Sequence, residues 1–305
     1  MEGDNALREE DLDKWIRAGR IGAEALNYGR SLIKEGASLV EIADKVEAKI
    51  VQLGGGIAFP VQISRNHLAA HYCPDIEDRT VLEAGDVVKI DLGVSIDGFL
   101  SDTACTLYLG EDPDIQNLVE ASRSALQNVS KIIKSGVEIG TLGSEIQRTI
   151  TSMGFSPIRN LSGHGLGRFQ VHAAPTIPNF SVSSKNVLGV QAVAVEPFAT
   201  TGVGIVENSG IPNVFLLNVK RPVRDRIVKK VLSAISGYNG LPFARRWLER
   251  LFPKAEVNYA LRQLVRDELI TEYPPLGEIS GGLVSQAEHT FLLLRDRTII
   301  STERA

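Results

Sequence analysis

Apolar residues return at helical spacing at Leu12, Ile16, Ile21, Ala25 and Leu32, which predicts a helix from about Glu10 to Lys34, with Gly36 able to end it. A second stripe, Leu39, Ile42, Val46, Ile50 and Leu53, predicts a helix opening at Ser38 and stopping at Gly54. Ser38-Leu39-Val40-Glu41 has the capping-box pattern, in which a serine hydroxyl and a glutamate satisfy free N–H groups at the helix start. Gly54-Gly55-Gly56 lacks the lysine of a phosphate loop and reads as a turn. From Ala58 to Gly110 the pattern becomes extended. Asp86 to Ser95 and Phe99 to Leu109 flank Asp97-Gly98, a two-residue hairpin signal because both positions must tolerate positive φ. Helical patterns return from Pro113 to Lys134 and from about Leu142 to Met153. Three extended pieces follow, Asn160 to Gly167, Gly189 to Phe198 and Val284 to Leu294. Between the last two, Pro222 to Ile235, Phe243 to Leu251 and Val257 to Leu269 read as helices.

Charge separates that last helical region from the rest. Lys220 to Glu268 holds 12 Lys/Arg against 5 Asp/Glu, a local charge of +7, and leaves −11 for the remainder of a chain whose net charge is −4. This predicts a basic subdomain, residues 209–280, inserted in one acidic domain spanning 1–305. The balance of 43% hydrophobic and 23% charged residues over 305 positions is that of a globular protein. A net charge of −4 gives no whole-chain attraction to nucleic acid or anionic membrane. No apolar run approaches the ~18 residues of a transmembrane helix, and the charged stretch Met1 to Trp15 lacks the apolar core of a signal peptide. Two cysteines, Cys73 and Cys105, cannot build a disulfide framework. A cytoplasmic protein is expected.

The hairpin carries the first chemistry. A two-residue loop pairs Ile96 with Phe99, so Asp91 faces Ala104 and Asp102 faces Gly93. Asp91 and Asp102 are then diagonal neighbours on one face, their β-carbons roughly 7 Å apart or less. Two carboxylates aimed together repel, and need a shared proton or a cation. Solvent-facing aspartates on an edge hairpin are the alternative. His164 lies between glycines in Gly163-His164-Gly165-Leu166-Gly167, which suits a ligand or a bare turn, and His172 follows within reach of the same cavity. Glu196 and Glu288 each sit in nearly uncharged strand patterns, where a carboxylate is costly unless paired or coordinated. His71 lies in the equally uncharged Ala69-Ala70-His71-Tyr72. Together, two aspartates, one histidine and two glutamates form an O/N donor set for a pair of divalent first-row metals, with His71 and His172 left to handle protons and a developing oxyanion.

These segments resemble the methionine aminopeptidases, of the dinuclear pita-bread fold shared with prolidase and aminopeptidase P. The resemblance runs from about Asp11 to Arg295 and rests on Ala70-His71-Tyr72, Lys89-Ile90-Asp91-Leu92-Gly93, Ser162 to Gly167, Val195-Glu196-Pro197-Phe198 and Ala287-Glu288-His289-Thr290. The order of these pieces and the eleven-residue spacing of the aspartates also match. The long connection from Glu196 to Glu288, with Phe243 to Leu248 and Tyr273-Pro274-Pro275-Leu276, is similar to the helical subdomain of type 2 enzymes, and the near-direct start resembles the archaeal form. The fold implied is α+β, with pseudo-twofold halves around a curved antiparallel sheet and a helical, winged-helix-like insert. The resemblance also implies two divalent metal ions (Co, Mn, Fe or Zn), Asp91 chelating one, Asp102 and Glu288 bridging both, and His164 and Glu196 completing the other. It further implies that Glu196 touches the bridging water, that His71 lies near the scissile amide and His172 at its carbonyl oxygen, and that Phe59 and Tyr273 line the methionine pocket. The substrates implied are N-terminal Met peptides and nascent chains, cut by a monomer with no membrane attachment. The basic insert offers a transient ribosome contact, although solvated helix faces explain the same charge. Cys73 stands where the family usually has Thr, and His67 where a polar residue, often Asn, is common. An Xaa-Pro aminopeptidase and a non-catalytic pita-bread binding protein are the alternatives.

Overall fold

A computed structural model describes residues 7–219 and 221–303. The first residues of the charged N-terminus and Lys220, which opens the basic segment, lie outside the described residues. Helices α1 (Leu12–Leu32) and α2 (Leu39–Gln52) lie where the apolar stripes place them. The Ser38 side chain makes no capping bond. Its residue instead forms a backbone bridge to Val81, and the Thr80 carbonyl accepts the Leu39 N–H, so this helix start is held by the 80–81 segment and not by its own hydroxyl. The buried faces of both helices pack on the antiparallel sheet of Gly56–Arg65, Val87–Ile96 and Phe99–Tyr108, with Ala25, Ile42, Val46, Ile63, Ile90 and Leu92 in a common core.

The second half repeats this plan. Helices α3 (Pro113–Ser130) and α4 (Ile139–Ser152) bury Leu118, Leu126, Leu142, Ile146 and Ile150 against a five-stranded antiparallel sheet. That sheet runs, in spatial order, through Thr298–Ile300, His289–Leu293, Gln191–Val195, Ser162–Gly167 and Gln170–Pro178. A central cluster with Trp15, Phe59, Phe99, Leu166, Ala192 and Leu292 joins the halves. The arrangement is the α+β pita-bread plan of two helix-backed halves. The extended pattern of 284–294 is interrupted: Val284–Gln286 and His289–Leu293 belong to different sheets, and Ala287-Glu288 lies at the break.

Residues 214–273 carry a core of their own, with Phe215, Val231, Phe243, Leu248, Leu261 and Leu264 fully or nearly buried. Its helices are α5 (Arg226–Ile235), α6 (Arg245–Glu249) and α7 (Lys254–Arg266). α5 starts later than the pattern suggests because the Asp225 carboxylate accepts the N–H groups of Ile227 and Val228 and sets the boundary there. Phe243-Ala244 is extended, pairing with Val214–Leu217, which also pairs with Ile270–Tyr273. No described helix is long and apolar enough to cross a membrane.

A buried carboxylate ties two loops beside these elements. Glu278 is only 3% exposed and accepts the N–H groups of Val203, Gly204, Ser280 and Gly282 and the Ser280 hydroxyl. Burial pushes its carboxyl up, but the hydrogen bonds outweigh it and hold the group below its ordinary value. A carboxylate so depressed stabilises the fold above its unfolded-state pKa and loses that contribution as pH falls through the folded value. Glu278→Gln should therefore cost about 1–3 kcal/mol at neutral pH. Paired urea melts should show the gap to wild type closing as the pH is taken below about 4.

Candidate active site

The hairpin has the register its sequence predicts. Ile96 pairs with Phe99, Asp91 with Ala104 and Gly93 with Asp102. The turn residues Asp97 and Gly98 both have positive φ. Asp91 and Asp102 accordingly point into one cavity, of about 220 Å³, together with His164, Glu196 and Glu288 from the second half. His71, His172, Phe59 and Tyr273 line the same cavity, so the structure brings every candidate residue to one place. Phe59, Val171, Phe198, Val214 and Tyr273 add apolar surface to its lining.

The glycines around His164 serve the strand packing. A β-carbon on Gly163 would meet the Ala194 carbonyl oxygen at 2.4 Å, and one on Gly165 would meet the Ala174 carbonyl oxygen at 2.1 Å. Only glycine lets the His164 strand lie this close to both neighbours. The His164 Nδ1 is 3.1 Å from the Gly165 carbonyl oxygen, which makes it the donor and leaves Nε2 as a neutral acceptor. Nε2 lies 3.7 Å from an Asp102 oxygen and 3.6 Å from a Glu196 oxygen. Donor atoms of Asp102, His164 and Glu288 all fall within 4.8 Å of one another, and all three residues are buried.

The electrostatics are those of an uncompensated anionic centre. Burial pushes the Asp91 carboxyl up to about 7, against a lowering hydrogen bond from Gln286. Burial, reinforced by facing carboxylates, pushes Asp102, Glu196 and Glu288 well above the usual range. Burial lowers His164 to about 3 and His71 to about 4, each helped by the neighbouring His172, and burial also lowers His172. Neutral imidazoles therefore cannot balance the acids. Asp91 Oδ1 is buried without a hydrogen-bond partner. A buried orphan oxygen, four converging carboxylates and an imidazole presenting a bare nitrogen fit divalent cations with O/N preference.

His71 is held from two sides. Its backbone has φ of 66°, a conformation that costs a non-glycine residue energy and persists where the surroundings impose it. The Gln62 side-chain oxygen accepts its N–H at 2.9 Å, and its ring bonds to the Pro274 backbone beside Tyr273. Sequence reasoning passed over Gln62, which pairs with Asp91 in the adjoining strand, and Gln286, whose amide donates to Asp91 at 3.1 Å. Each is a polar residue inside an apolar strand run, and that was the available signal. Cys73 is buried outside the cavity lining, its sulfur accepting from Arg246 at 2.7 Å. His67 is exposed, and its carbonyl accepts the Glu278 N–H.

The model of metallopeptidase family M24 matches residues 13–217. The methionine aminopeptidase of Thermococcus onnurineus is 43% identical over 296 residues, covering 96% of this chain and all of that protein. Among solved structures, a thermophilic Arx1 superposes with a TM-score of 0.86 at 16% identity, over 97% of this chain and 91% of that one. The Thermotoga maritima methionine aminopeptidase superposes with a TM-score of 0.71 at 24% identity, over 98% and 99% of the two chains. The two superpositions establish the fold alone, whereas the family match and the full-length sequence identity, on a chain whose buried acids converge with a histidine, establish kinship: the chain belongs to metallopeptidase family M24, among its methionine aminopeptidases.

Proposed function

We propose that this protein hydrolyses the first peptide bond of peptides and nascent chains that begin with methionine, favouring a small second residue. The single observation that carries this reading is the convergence of Asp91, Asp102, His164, Glu196 and Glu288 on one cavity with apolar surface in its lining. Those five residues would hold two divalent ions, Asp91 on one, Asp102 and Glu288 between both, His164 and Glu196 on the other. Co, Mn, Fe and Zn all accept such donors. When bound, the ions supply Lewis acidity and an ionised water at neutral pH.

The remaining roles belong to side chains. The free α-amine of the substrate would face the acidic cluster, which restricts cleavage to the chain end. Phe59 and Tyr273 would enclose the methionine side chain. His172, neutral at physiological pH and adjacent to His164 with ring centroids 4.5 Å apart, would donate a hydrogen bond to the carbonyl oxygen as it gains charge. His71, oriented by Gln62 and Pro274, would lie against the scissile amide. Glu196 would accept the proton of the attacking water and deliver it to the leaving nitrogen.

Residues 209–280 would form an inserted, winged-helix-like subdomain whose Val214 and Tyr273 close the cavity. Its excess of basic residues is available for transient contact with ribosomal RNA, and we take the working form to be a cytoplasmic monomer. Cys73 and Cys105 form no disulfide, which agrees with a reducing compartment.

A peptide panel on metal-loaded protein tests the activity. Met-Ala-Ser should lose methionine, while Met-Lys-Ser and Ala-Pro-Ser should not. Cleavage of Ala-Pro-Ser alone would move the protein to the prolidase side of the family. No cleavage of any peptide by folded, metal-loaded protein would reject the peptidase reading.

A further inference from the structure

The two halves meet at the acids through a seam that is not a sheet. Phe99–Tyr108 and the segment 286–290 run antiparallel, with Asp102 opposite Thr290, Ala104 opposite Glu288 and Thr106 opposite Gln286. They nevertheless belong to separate sheets and share no ladder among the described residues. One backbone bond crosses between them, Glu288 N–H to the Ala104 carbonyl at 3.0 Å. On either side of it a threonine hydroxyl stands in for the missing ladder. Thr290 Oγ1 accepts the Asp102 N–H and donates to the Asp102 carbonyl, both at 2.8 Å. Thr106 Oγ1 accepts the Gln286 N–H at 2.8 Å and donates to the Gln286 carbonyl at 2.7 Å. Thr103 adds a bond to the Glu288 carbonyl at 3.1 Å. Thr290 is backed in turn by Thr302, whose hydroxyl accepts the Thr290 N–H at 3.0 Å.

Each reciprocal bracket spends one hydroxyl as both donor and acceptor on a single residue of the facing strand. A hydroxyl can do this because it carries one proton and two lone pairs. The two brackets form a local two-fold about Ala104 and Glu288, one from each half, some 180 residues apart in sequence. They tie the strands together on either side of that backbone bond, where the carboxylates of Asp102 and Glu288 line the cavity.

We propose that Thr106 and Thr290 are positioning residues that fix the spacing of Asp102 and Glu288, and through it the affinity of the site for its second metal ion. The inference rests on the functional reading above, in which these two carboxylates bridge the ions. Thr290→Val keeps the shape of the side chain and removes the bracket; Thr290→Ser keeps the hydroxyl. The test is calorimetric titration of metal-stripped protein with Mn(II), with folding checked by circular dichroism. Folded Thr290→Val should bind the second equivalent roughly 10–100-fold more weakly than wild type, the range for losing a group that orients a ligand, and Thr290→Ser should restore it. A hydroxyl needed only for folding would lower the melting temperature and leave the affinity of the folded protein untouched. Wild-type affinity for both equivalents in folded Thr290→Val would overturn the proposal. Should that variant not fold, Thr106→Val, at the more accessible end of the seam, carries the same expectation, and wild-type binding by it is the overturning result. Wild-type protein that binds no metal and releases no methionine would instead remove the functional reading, a failure visible before any variant is made.

Discussion

Glu288→Ala, and equally Asp102→Ala, is expected to lower kcat/KM by about 10³-fold or more. Two divalent ions would bring four positive charges into a cavity lined by four carboxylates, of which Asp102 and Glu288 are buried. Under the proposed assignment, removing either carboxylate would leave charge unbalanced and the ions without part of the ligand set. Electrophilic stabilisation of several kcal/mol is at stake, and each 1.36 kcal/mol is about tenfold in rate. The loss should fall on kcat, with metal analysis showing fewer ions retained per chain. The folded state should survive either change. The two carboxyls lie together with His164 in one buried cluster, and burial with the neighbouring carboxylates pushes both well above the usual range. Taking away one acid relieves that crowding. Wild-type turnover in either metal-loaded variant would remove the site from the mechanism.

Arg246→Met is expected to destabilise the protein by about 3–5 kcal/mol, the usual result of stranding one partner of a buried ion pair. Arg246 is fully buried in α6 and Glu47 is 5% exposed in α2. The guanidinium bonds to the Glu47 carboxylate, to the Cys73 sulfur and to the Pro74 carbonyl, and so ties the basic region to the loop that follows His71. Without it, Glu47 keeps the Val61 N–H and the Trp247 ring N–H but loses its counter-charge. Burial already holds the Glu47 carboxyl above its ordinary value, against the lowering effect of Arg246. In the variant it should rise further. A group whose folded pKa is raised contributes stability below its unfolded pKa and loses it as pH climbs through the folded value. The deficit should therefore shrink on acidification, as at Glu278, but over a higher pH range, because the Glu47 carboxyl is raised and that of Glu278 lowered. Adding Glu47→Gln should recover part of the loss, because no charge is then left buried. Denaturation of the single and double variants across pH checks all three statements.

The helices of both halves were legible because their apolar stripes have one period and face one sheet. The hairpin was legible to the residue because Asp97-Gly98 leaves a single loop length, and alternation then fixes which face each aspartate takes. That arithmetic placed Asp91 and Asp102 together from local sequence alone. His164, Glu196 and Glu288 could be marked one by one as odd residues in apolar surroundings, but nothing local assembles them. Their convergence is made by contacts between strands distant in sequence, such as those of His164 with Asp102 and Glu196, and only the family resemblance implied it. Helix starts were less legible. Asp225 caps α5 with its side chain, whereas Ser38 has the right residue type and makes no such bond. The same limit hid Gln62 and the threonine seam. A threonine in a strand is ordinary, and its use as a substitute for a ladder depends on a facing segment some 180 residues away.

The claim that metal ions held by these five side chains do the work is tested most directly by removing them. The protein is stripped with a chelator, its metal content is measured, and Mn, Co, Fe or Zn is added back singly with Met-Ala-Ser as substrate. Release of methionine should vanish in the stripped sample, return with at least one of these ions, and level off at two equivalents per chain. Undiminished release from protein shown to be free of metal would contradict the account.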